Sequence, residues 1–232
     1  MKVAALIPVY NEEERIYETL WAAVDLGLVD QIMVINDGST DSTPEQVKRV
    51  PGVELLNLPN NVGKGDALNA GWQKMAADVY LLIDGDLGFS ARSAGDLLLP
   101  VLQGQADMTV ARFGQQQSSD GRKMGFGMVR RLASFGVERM TGEKLANPLS
   151  GQRAVRAEVL AQLGGFFPGY GVEIGLTVGA LYFGFRIEEV PLPLEHRAYG
   201  RGLKGILHRG RQLMHVLAAF RLCRQKGWGR LW

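Results

Sequence analysis

Two carboxylates that flank a single glycine follow an apolar stretch in the first half of this chain. Asp84, Gly85 and Asp86 come directly after residues 79–83, which read Val-Tyr-Leu-Leu-Ile. Residues two apart in an extended chain point to the same side, so both carboxylates would face one place at a strand end. Such oxygen ligands suit Mg²⁺ or Mn²⁺, which proteins hold with one or two carboxylates together with substrate phosphates. The pattern predicts a metal site for a phosphate-bearing substrate. The alternative is an ordinary strand-to-turn junction, where Asp and Gly are common.

The elements that would position these carboxylates alternate between strands and helices. Strands are indicated at 3–8, 31–36, 53–58 and 79–83, and helices at 12–24, from Pro44 onward and at 63–75, with Asn11 as the expected cap of the first helix. This order predicts an α/β fold with a mostly parallel sheet and helices on both faces. Ligands bind such sheets at the carboxyl ends of strands, where Asp37 and Asp84 both lie.

The second half is less regular. Helices are predicted at 129–140, 156–163, 173–183 and from 203 onward, a late strand at 186–191, and a long loop at 112–127.

The composition indicates which broad class of protein this is. The 232 residues are 46% hydrophobic and 22% charged, which is typical of a soluble globular protein with one large core. The sequence contains no run of 18 apolar residues, so no transmembrane helix is expected. The first residues are interpreted as a strand rather than a signal peptide. Cys223 is the only cysteine, so no internal disulfide can form and a reducing cytoplasm is the expected location.

The net charge of +2 hides a strongly basic carboxyl-terminal end. No Asp or Glu follows Glu195, whereas nine Lys and Arg side chains do: Arg197, Arg201, Lys204, Arg209, Arg211, Arg221, Arg224, Lys226 and Arg230. Such an end indicates an anionic partner, namely a phosphate group, a membrane surface or nucleic acid. Nucleic acid is the least favoured, because basic and aromatic residues do not alternate here as they do in single-strand binders.

The helix expected from residue 203 has an apolar stripe and a basic opposite face. It either packs on the rest of the protein, as most amphipathic helices do, or lies on an anionic membrane with Trp228 and Trp232. The absence of acidic residues favours the membrane, which would be the inner face of the cell membrane.

Four motifs follow one another between residues 7 and 86. They are IPVYNEEE at 7–14, VINDGSTD at 34–41, NVGKGDAL at 61–68 and DGD at 84–86. In this order and spacing they resemble the family 2 glycosyltransferases of GT-A fold. The resemblance implies a Rossmann-like nucleotide-diphospho-sugar transferase fold. It also implies a glycosyltransferase domain over 1–202, followed by a basic amphipathic helix and tail over 203–232.

Three segments of the second half resemble two groups of relatives. NPLSGQ at 147–152 and PGYGVEIGL at 168–176 are similar to glucosyl-3-phosphoglycerate synthases, and residues 189–200 are similar to dolichyl- and polyprenyl-phosphate sugar synthases. Together they imply metal-dependent transfer of a hexose from a UDP- or GDP-linked donor. The acceptor would be anionic, either a polyprenyl phosphate or a small phospho-acid.

The resemblance assigns the metal and the donor nucleotide to particular residues. Asp86 would be the direct ligand of the metal, with Asp84 on the ribose or as a second metal contact and His196 as a further ligand. For the nucleotide, Asp37 would accept a hydrogen bond from the base, Pro8 and Tyr10 would line the base pocket, and Glu12 would hold the ribose hydroxyls. Asn36 stands where the family often has Asp, which leaves the nucleotide open.

Several basic residues are candidates for phosphate contacts. Lys64 lies between two glycines at a helix start, where backbone N–H groups and the helix dipole favour anions. Arg197 and Arg201, with Lys204, are spaced to form a phosphate clamp, since Arg binds phosphate with two parallel hydrogen bonds. The alternative for each is a solvated charge.

Glu173 is the candidate for acid–base work or for orienting the acceptor. Transfer to a hydroxyl needs a base within hydrogen-bond reach, whereas a phosphate oxygen is already anionic and needs none. The alternative is a glutamate placed in a first helical turn because the dipole favours it there. A catalytically silent sugar-nucleotide binding module and a polysaccharide glycosyltransferase with a hydroxyl acceptor are the rival functions.

Overall fold

A seven-stranded sheet runs through the middle of the protein. The computed structural model describes residues 1–113, 126–169, 171–193 and 203–229. The strands are β1 Val3–Val9, β2 Gln31–Asn36, β3 Val53–Asn57, β4 Val79–Leu82, β5 Met108–Phe113, β6 Arg153–Arg156 and β7 Ile187–Leu192. The helices are α1 Ile16–Val24, α2 Thr43–Lys48, α3 Lys64–Trp72, α4 Leu98–Leu102, α5 Phe126–Thr141, α6 Ala157–Leu163, α7 Val172–Tyr182 and α8 Leu203–Gln225, and a 3₁₀ helix at Gly88–Leu97 precedes α4.

The strands lie in the order β3-β2-β1-β4-β6-β5-β7, and only β6 runs against its neighbours. β1 and β4 at the centre consist of apolar and aromatic residues because both faces of the sheet are covered. Leu6 and Leu82 pack in one core with α3 and α5 to α8, while Ile7 and Leu81 pack in the other with α1, the 3₁₀ helix and α4. The predicted α/β architecture with a mostly parallel sheet is confirmed.

The start of α1 differs from the sequence expectation. The helix begins at Ile16 rather than at residue 12, and Asn11 does not cap it. Asn11 has a positive φ of 56°, its N–H donates to Ser39 Oγ at 3.0 Å, and its Oδ1 accepts from the N–H of Thr40 at 2.8 Å. The predicted start was wrong because this segment fastens the end of β1 to the loop after β2 instead of entering the helix.

The sequence also missed β5 and β6. Residues 112 and 113, assigned to a long loop, end β5, and α5 already begins at Phe126. Between them, residues 114–125 lie outside the described ranges. β6 begins with Arg153, which is fully buried, so its polar sequence concealed a strand that pairs on both edges. The remaining predicted helices and the late strand are confirmed to within a few residues at each end.

The described part of α8 packs on the protein. Val216, Ala219 and Cys223 are buried against α5 and α7. Trp228 is only 6% exposed and stacks on Phe167 with ring centroids 5.4 Å apart, so its expected place on a membrane was wrong. In the parts of the chain that the structure describes, no helix has the length and apolarity to cross a bilayer. The division at residue 203 stays a prediction.

Asp107 ties together the ends of three strands at the edge opposite the candidate site. Its carboxylate accepts from Arg186 N–H at 2.9 Å and from the Arg186 guanidinium at 3.1 Å, and it lies 3.5 Å from Arg156 Nη1. The hydrogen bonds from Arg186 lower the pKa of Asp107, although burial acts against them.

Asp107→Asn should therefore lower the free energy of unfolding by about 1 kcal/mol near pH 7, since the amide keeps the shape but loses the charge-assisted bonds. A carboxylate whose pKa is lower in the folded state than in the unfolded state stabilises the folded protein at pH values above its unfolded-state pKa. This stabilisation is lost as the pH falls through the folded-state pKa. In urea unfolding, the difference in free energy of unfolding between Asp107→Asn and the unmodified protein should therefore shrink below about pH 4. Asp25→Asn is the control, because its pair with Arg92 is exposed and should matter little at any pH.

Candidate functional site

Three neighbouring parallel strands end at the same edge of the sheet and bring the predicted residues together. β1 lies between β2 and β4, with Val9 opposite Asn36 and Leu6 opposite Leu82. The chain just beyond these ends carries Asp37, the 84–86 turn and the 10–12 segment, as the alternating pattern predicted.

One ammonium group between two carboxylates forms the centre of this edge. Lys64 Nζ donates to Asp84 Oδ1 and to Glu173 Oε1, both at 2.8 Å, and Gln152 Nε2 donates to Asp84 Oδ2 at 2.6 Å. Lys64 and Glu173 are only 18% and 14% exposed in their side chains. Burial disfavours the charged lysine, but the carboxylates of Asp84 and Glu173 outweigh it and raise the pKa of Lys64.

Glycines allow the backbone to approach this charge cluster closely. A Cβ on Gly151 would lie 2.5 Å from Asp84 Oδ2 and 2.7 Å from Lys64 Nζ. A Cβ on Gly65 would overlap the carbonyl of Phe167, and the Gly65 N–H donates to the carbonyl of Gly169 at 2.9 Å. The glycine-lysine-glycine motif thus docks the start of α3 onto the turn that leads to Glu173.

Asp37 holds the turn in front of α3. It is 4% exposed, and its two oxygens accept from the N–H groups of Val62 at 2.7 Å and Gly63 at 2.9 Å. Asn36, at the end of β2, donates through Nδ2 to Asn57 Oδ1 and accepts from the N–H of Ser39. An amide can do both, which an ionised carboxylate at this position could not. The contact of Asp37 with a base stays a prediction.

The turn with Asp84 and Asp86 is fastened from below by Thr19, which the sequence analysis missed. This buried side chain donates to the carbonyl of Gly85 at 2.9 Å and accepts from the N–H of Gly88 at 2.8 Å. A polar residue on the apolar side of α1 was the signal that could have found it. Asp86 is partly exposed, and its carbonyl accepts from Arg15 Nη1 at 3.4 Å.

The residues predicted to hold the nucleotide lie beside this turn. Pro8 is half-buried near the end of β1, and Tyr10 is 46% exposed just beyond it. Glu12 is half-buried, and its N–H donates to Thr43 Oγ1 at 2.8 Å. Their contacts with a nucleotide stay predictions.

Arg153 is a second buried residue that sequence reasoning missed. Its guanidinium donates to the carbonyls of Ser150 at 2.9 Å and Pro148 at 2.7 Å and to Thr177 Oγ1 at 2.9 Å. Thr177 in turn donates to the carbonyl of Glu173 at 2.8 Å. Burial lowers the pKa of Arg153 to about 10, against the pull of Glu173 and other carboxylates. Arg153 therefore shapes the loop before Gln152 and fixes the first turn of α7.

The donor atoms at this edge are of the type that the predicted metal site requires. Asp84 and Asp86 offer the hard oxygens that Mg²⁺ and Mn²⁺ prefer, and the Asp86 side chain reaches solvent. Within the described ranges no three His, Cys, Asp or Glu side chains cluster as a metal site would. The third predicted ligand, His196, lies outside those ranges, as do Arg197 and Arg201. The donor set fits a divalent ion held by one or two carboxylates and substrate oxygens.

A family model described as Glycosyl transferase family 2 matches residues 4–164. Among curated proteins, the chain is 34% identical over 198 residues to the glucosyl-3-phosphoglycerate synthase of Mycobacterium tuberculosis, covering 76% of this chain and 60% of the relative. It is 28% identical to the dolichol-phosphate mannosyltransferase of Pyrococcus furiosus, covering 88% and 60%. It is 27% identical to the undecaprenyl-phosphate mannosyltransferase of Micrococcus luteus, covering 86% of each chain.

Solved structures of a glucosyl-3-phosphoglycerate synthase are also similar to this chain. The crystal structure of the Mycobacterium tuberculosis glucosyl-3-phosphoglycerate synthase with Mn²⁺, UDP and phosphoglyceric acid is similar with a TM-score of 0.75 and 27% identity. This similarity covers 94% of this chain and 78% of the other. The likeness confirms the expected GT-A fold. The chain spans about 60% of the length of the curated synthase.

Lys64→Met should lower the free energy of unfolding by about 2 kcal/mol, because it leaves two partly buried carboxylates facing each other. Adding Glu173→Gln should recover part of the loss, since one of the two like charges is removed. Urea unfolding of the single and double variants measures this coupling, with Lys48→Met on the exposed side of α2 as the control. If the free-energy changes of the two single variants simply add in the double variant, the ion pair between Lys64 and Glu173 is contradicted.

Arg153→Lys should cost about 2 kcal/mol of stability, although the charge is kept. A lysine ammonium lacks the planar fork that reaches two carbonyls and a hydroxyl together. Thermal unfolding would show the loss, and Arg92→Lys at an exposed position should not change the melting temperature. An unchanged melting temperature for Arg153→Lys would contradict this role.

Proposed function

The chain belongs to glycosyl transferase family 2, and on this premise we propose that it transfers a hexose from a UDP- or GDP-linked donor to a phosphorylated acceptor. The observation that carries the proposal is the cluster of Lys64, Asp84 and Glu173 at the carboxyl edge of the sheet, next to Asp86. The similar synthase was crystallised with Mn²⁺, UDP-glucose and phosphoglyceric acid, which supports a metal-dependent reaction of this type.

Asp86 is the residue that we assign to Mg²⁺ or Mn²⁺ first. Asp84 already receives hydrogen bonds from Lys64 and Gln152 on its two oxygens, which suits a residue that orients the site and adds a second contact to the metal or the ribose. When bound, the metal would neutralise charge that develops on the leaving diphosphate.

Lys64 is the protein's own cation for that diphosphate. An ammonium group has three N–H donors, and two of them point to Asp84 and Glu173. We assign the third to a phosphate oxygen of the donor. Because both carboxylates hold the ammonium in place, little side-chain freedom would be lost on binding, which favours the transition state.

The nucleotide would lie across the ends of β1 and β2. Tyr10 and Pro8 offer a flat apolar surface for the base, and Asp37 and Glu12 offer acceptor oxygens for ring N–H and ribose hydroxyl groups. Asp37 lies one residue after β2, and its two oxygens accept from the N–H groups of Val62 and Gly63. A carboxylate oxygen can accept more than one hydrogen bond, and we assign a second bond on Asp37 to the base.

We assign to Glu173 the role of orienting the acceptor. An ion-paired carboxylate at the start of α7 can accept a hydrogen bond from an acceptor hydroxyl, whereas a phosphate acceptor needs no base. The relatives include both a phosphoglycerate glucosyltransferase and polyprenyl-phosphate transferases, so the acceptor is proposed as one of these two classes. His196, Arg197 and Arg201 are proposed from resemblance to complete the metal and phosphate contacts.

The proposed location is the cytoplasm. The single cysteine is buried, and burial raises the pKa of Cys223 to about 12, as expected for a thiol that does not react. With one cysteine the chain cannot form an internal disulfide, which agrees with a reducing compartment.

Asp86→Ala should reduce hexose transfer by about 100-fold or more, because a charge-stabilising contact to the leaving group is lost. The assay is a screen of UDP- and GDP-hexoses against 3-phosphoglycerate, polyprenyl phosphates and polysaccharide acceptors with Mn²⁺, read by NMR of the product. The exposed Asp96→Ala should leave activity unchanged.

The same screen separates the rival functions. Transfer only to a polysaccharide hydroxyl would favour that alternative, and donor binding without turnover would favour a silent binding module. If calorimetry with Mn²⁺ shows no binding of any nucleotide-diphosphate sugar, the proposal is wrong.

A further inference from the structure

Two helices that pack together expose large apolar side chains to solvent. On α5 these are Met128, Leu132 and Phe135, which are 63%, 46% and 63% exposed, and on α8 they are Met214 and Leu217, at 67% and 55%. We call these five residues the apolar face. Residues spaced by three and four lie on one side of a helix, so each helix contributes a continuous stripe.

The two stripes meet across a groove. α5 and α8 are in contact, and Gly136 on α5 lies so close to the ring of Phe220 on α8 that any side chain there would overlap it. An open groove of about 530 Å³ lies between the helices, lined by Gly136, Met140, Leu217, Phe220 and three polar residues of α8. The apolar face is therefore one surface rather than two unrelated patches.

The surroundings of this surface are basic. Arg139 continues the stripe of α5 by a further four residues, and Arg221 and Arg224 line the groove from α8; all three are exposed. The sequence of α8 contains no acidic residue, and the acid of α5, Glu138, falls on the flank turned away from α8 by its helical spacing. Apolar side chains with arginines beside them suit the boundary between acyl chains and anionic headgroups.

We propose that the apolar face and its arginines dock the protein on a bilayer with anionic lipids. The inference goes beyond the proposed reaction and does not depend on it. A second copy of the chain fits less well, because a two-fold contact would bring the same arginines of both copies together. The expected membrane helix is thus replaced by a surface of two helices, in which Trp228 takes no part.

The surface is joined to the candidate site through α5. Arg130, on another side of this helix, donates through Nη1 to Asn147 Oδ1 at 3.4 Å. Asn147 lies in the loop between α5 and β6 that carries Gln152 to Asp84. α5 thus contacts the loop of the candidate site on one side and carries the apolar face on another.

Sedimentation with vesicles tests the proposal. No sugar donor is present, so the result does not depend on whether the proposed reaction occurs. The protein should bind vesicles of phosphatidylglycerol and phosphatidylcholine, and bind those of phosphatidylcholine alone more weakly. Leu132→Ser with Phe135→Ser should weaken binding by about tenfold or more, since two apolar side chains no longer enter the bilayer. Leu28→Ser with Leu99→Ser, also exposed, is the matched control and should not change binding.

A charge variant tests the arginines separately. Arg221→Gln with Arg224→Gln should weaken binding to the anionic vesicles by about tenfold and leave binding to phosphatidylcholine unchanged. Circular dichroism of each variant shows that the fold is kept. Absence of binding to anionic vesicles, or equal losses in the control pair, would overturn the proposal. So would a dimer in sedimentation velocity that Leu132→Ser with Phe135→Ser dissolves while vesicle binding is absent.

Discussion

The ammonium of Lys64 between Asp84 and Glu173 is the interaction on which the candidate site depends. It joins three elements that are far apart in sequence: the start of α3, the end of β4 and the first turn of α7. These two partly buried carboxylates, each 2.8 Å from the ammonium, would repel each other without it. The cation therefore makes it possible to gather acidic groups at one edge of the sheet, which is what a site for a metal and a diphosphate requires.

The supporting contacts are made mostly by backbone and by buried polar side chains. Asp37 holds the turn before α3, Thr19 holds the turn at Gly85, and Arg153 holds the loop before Gln152. Each of these groups makes hydrogen bonds to the chain itself and so fixes a loop or turn of the site. A site fixed in this way needs little rearrangement when substrate arrives, which is the condition for electrostatic stabilisation of a leaving group.

The two cores on either side of the sheet have different roles. The core with α1 and the 3₁₀ helix supports the turn of Asp84 to Asp86 from below. The core with α5, α7 and α8 carries Glu173 on its inner side and the apolar face on its outer side. One layer of helices thus connects the proposed chemistry with the proposed membrane surface.

The sequence by itself determined the alternation of strands and helices, the edge of the sheet that carries the carboxylates, and the four motifs that gather there. These follow from local patterns, because apolar periodicity and glycine placement act over a few residues. Only the tertiary structure decided that Gln152 reaches Asp84 and that Glu173 reaches its partner Lys64. It also decided that Arg153 and Thr19 are buried supports and that β5 and β6 complete the sheet. It also decided that Trp228 is buried, and that α5 and α8 share one exposed surface. These features depend on contacts between residues distant in sequence, which no local pattern records.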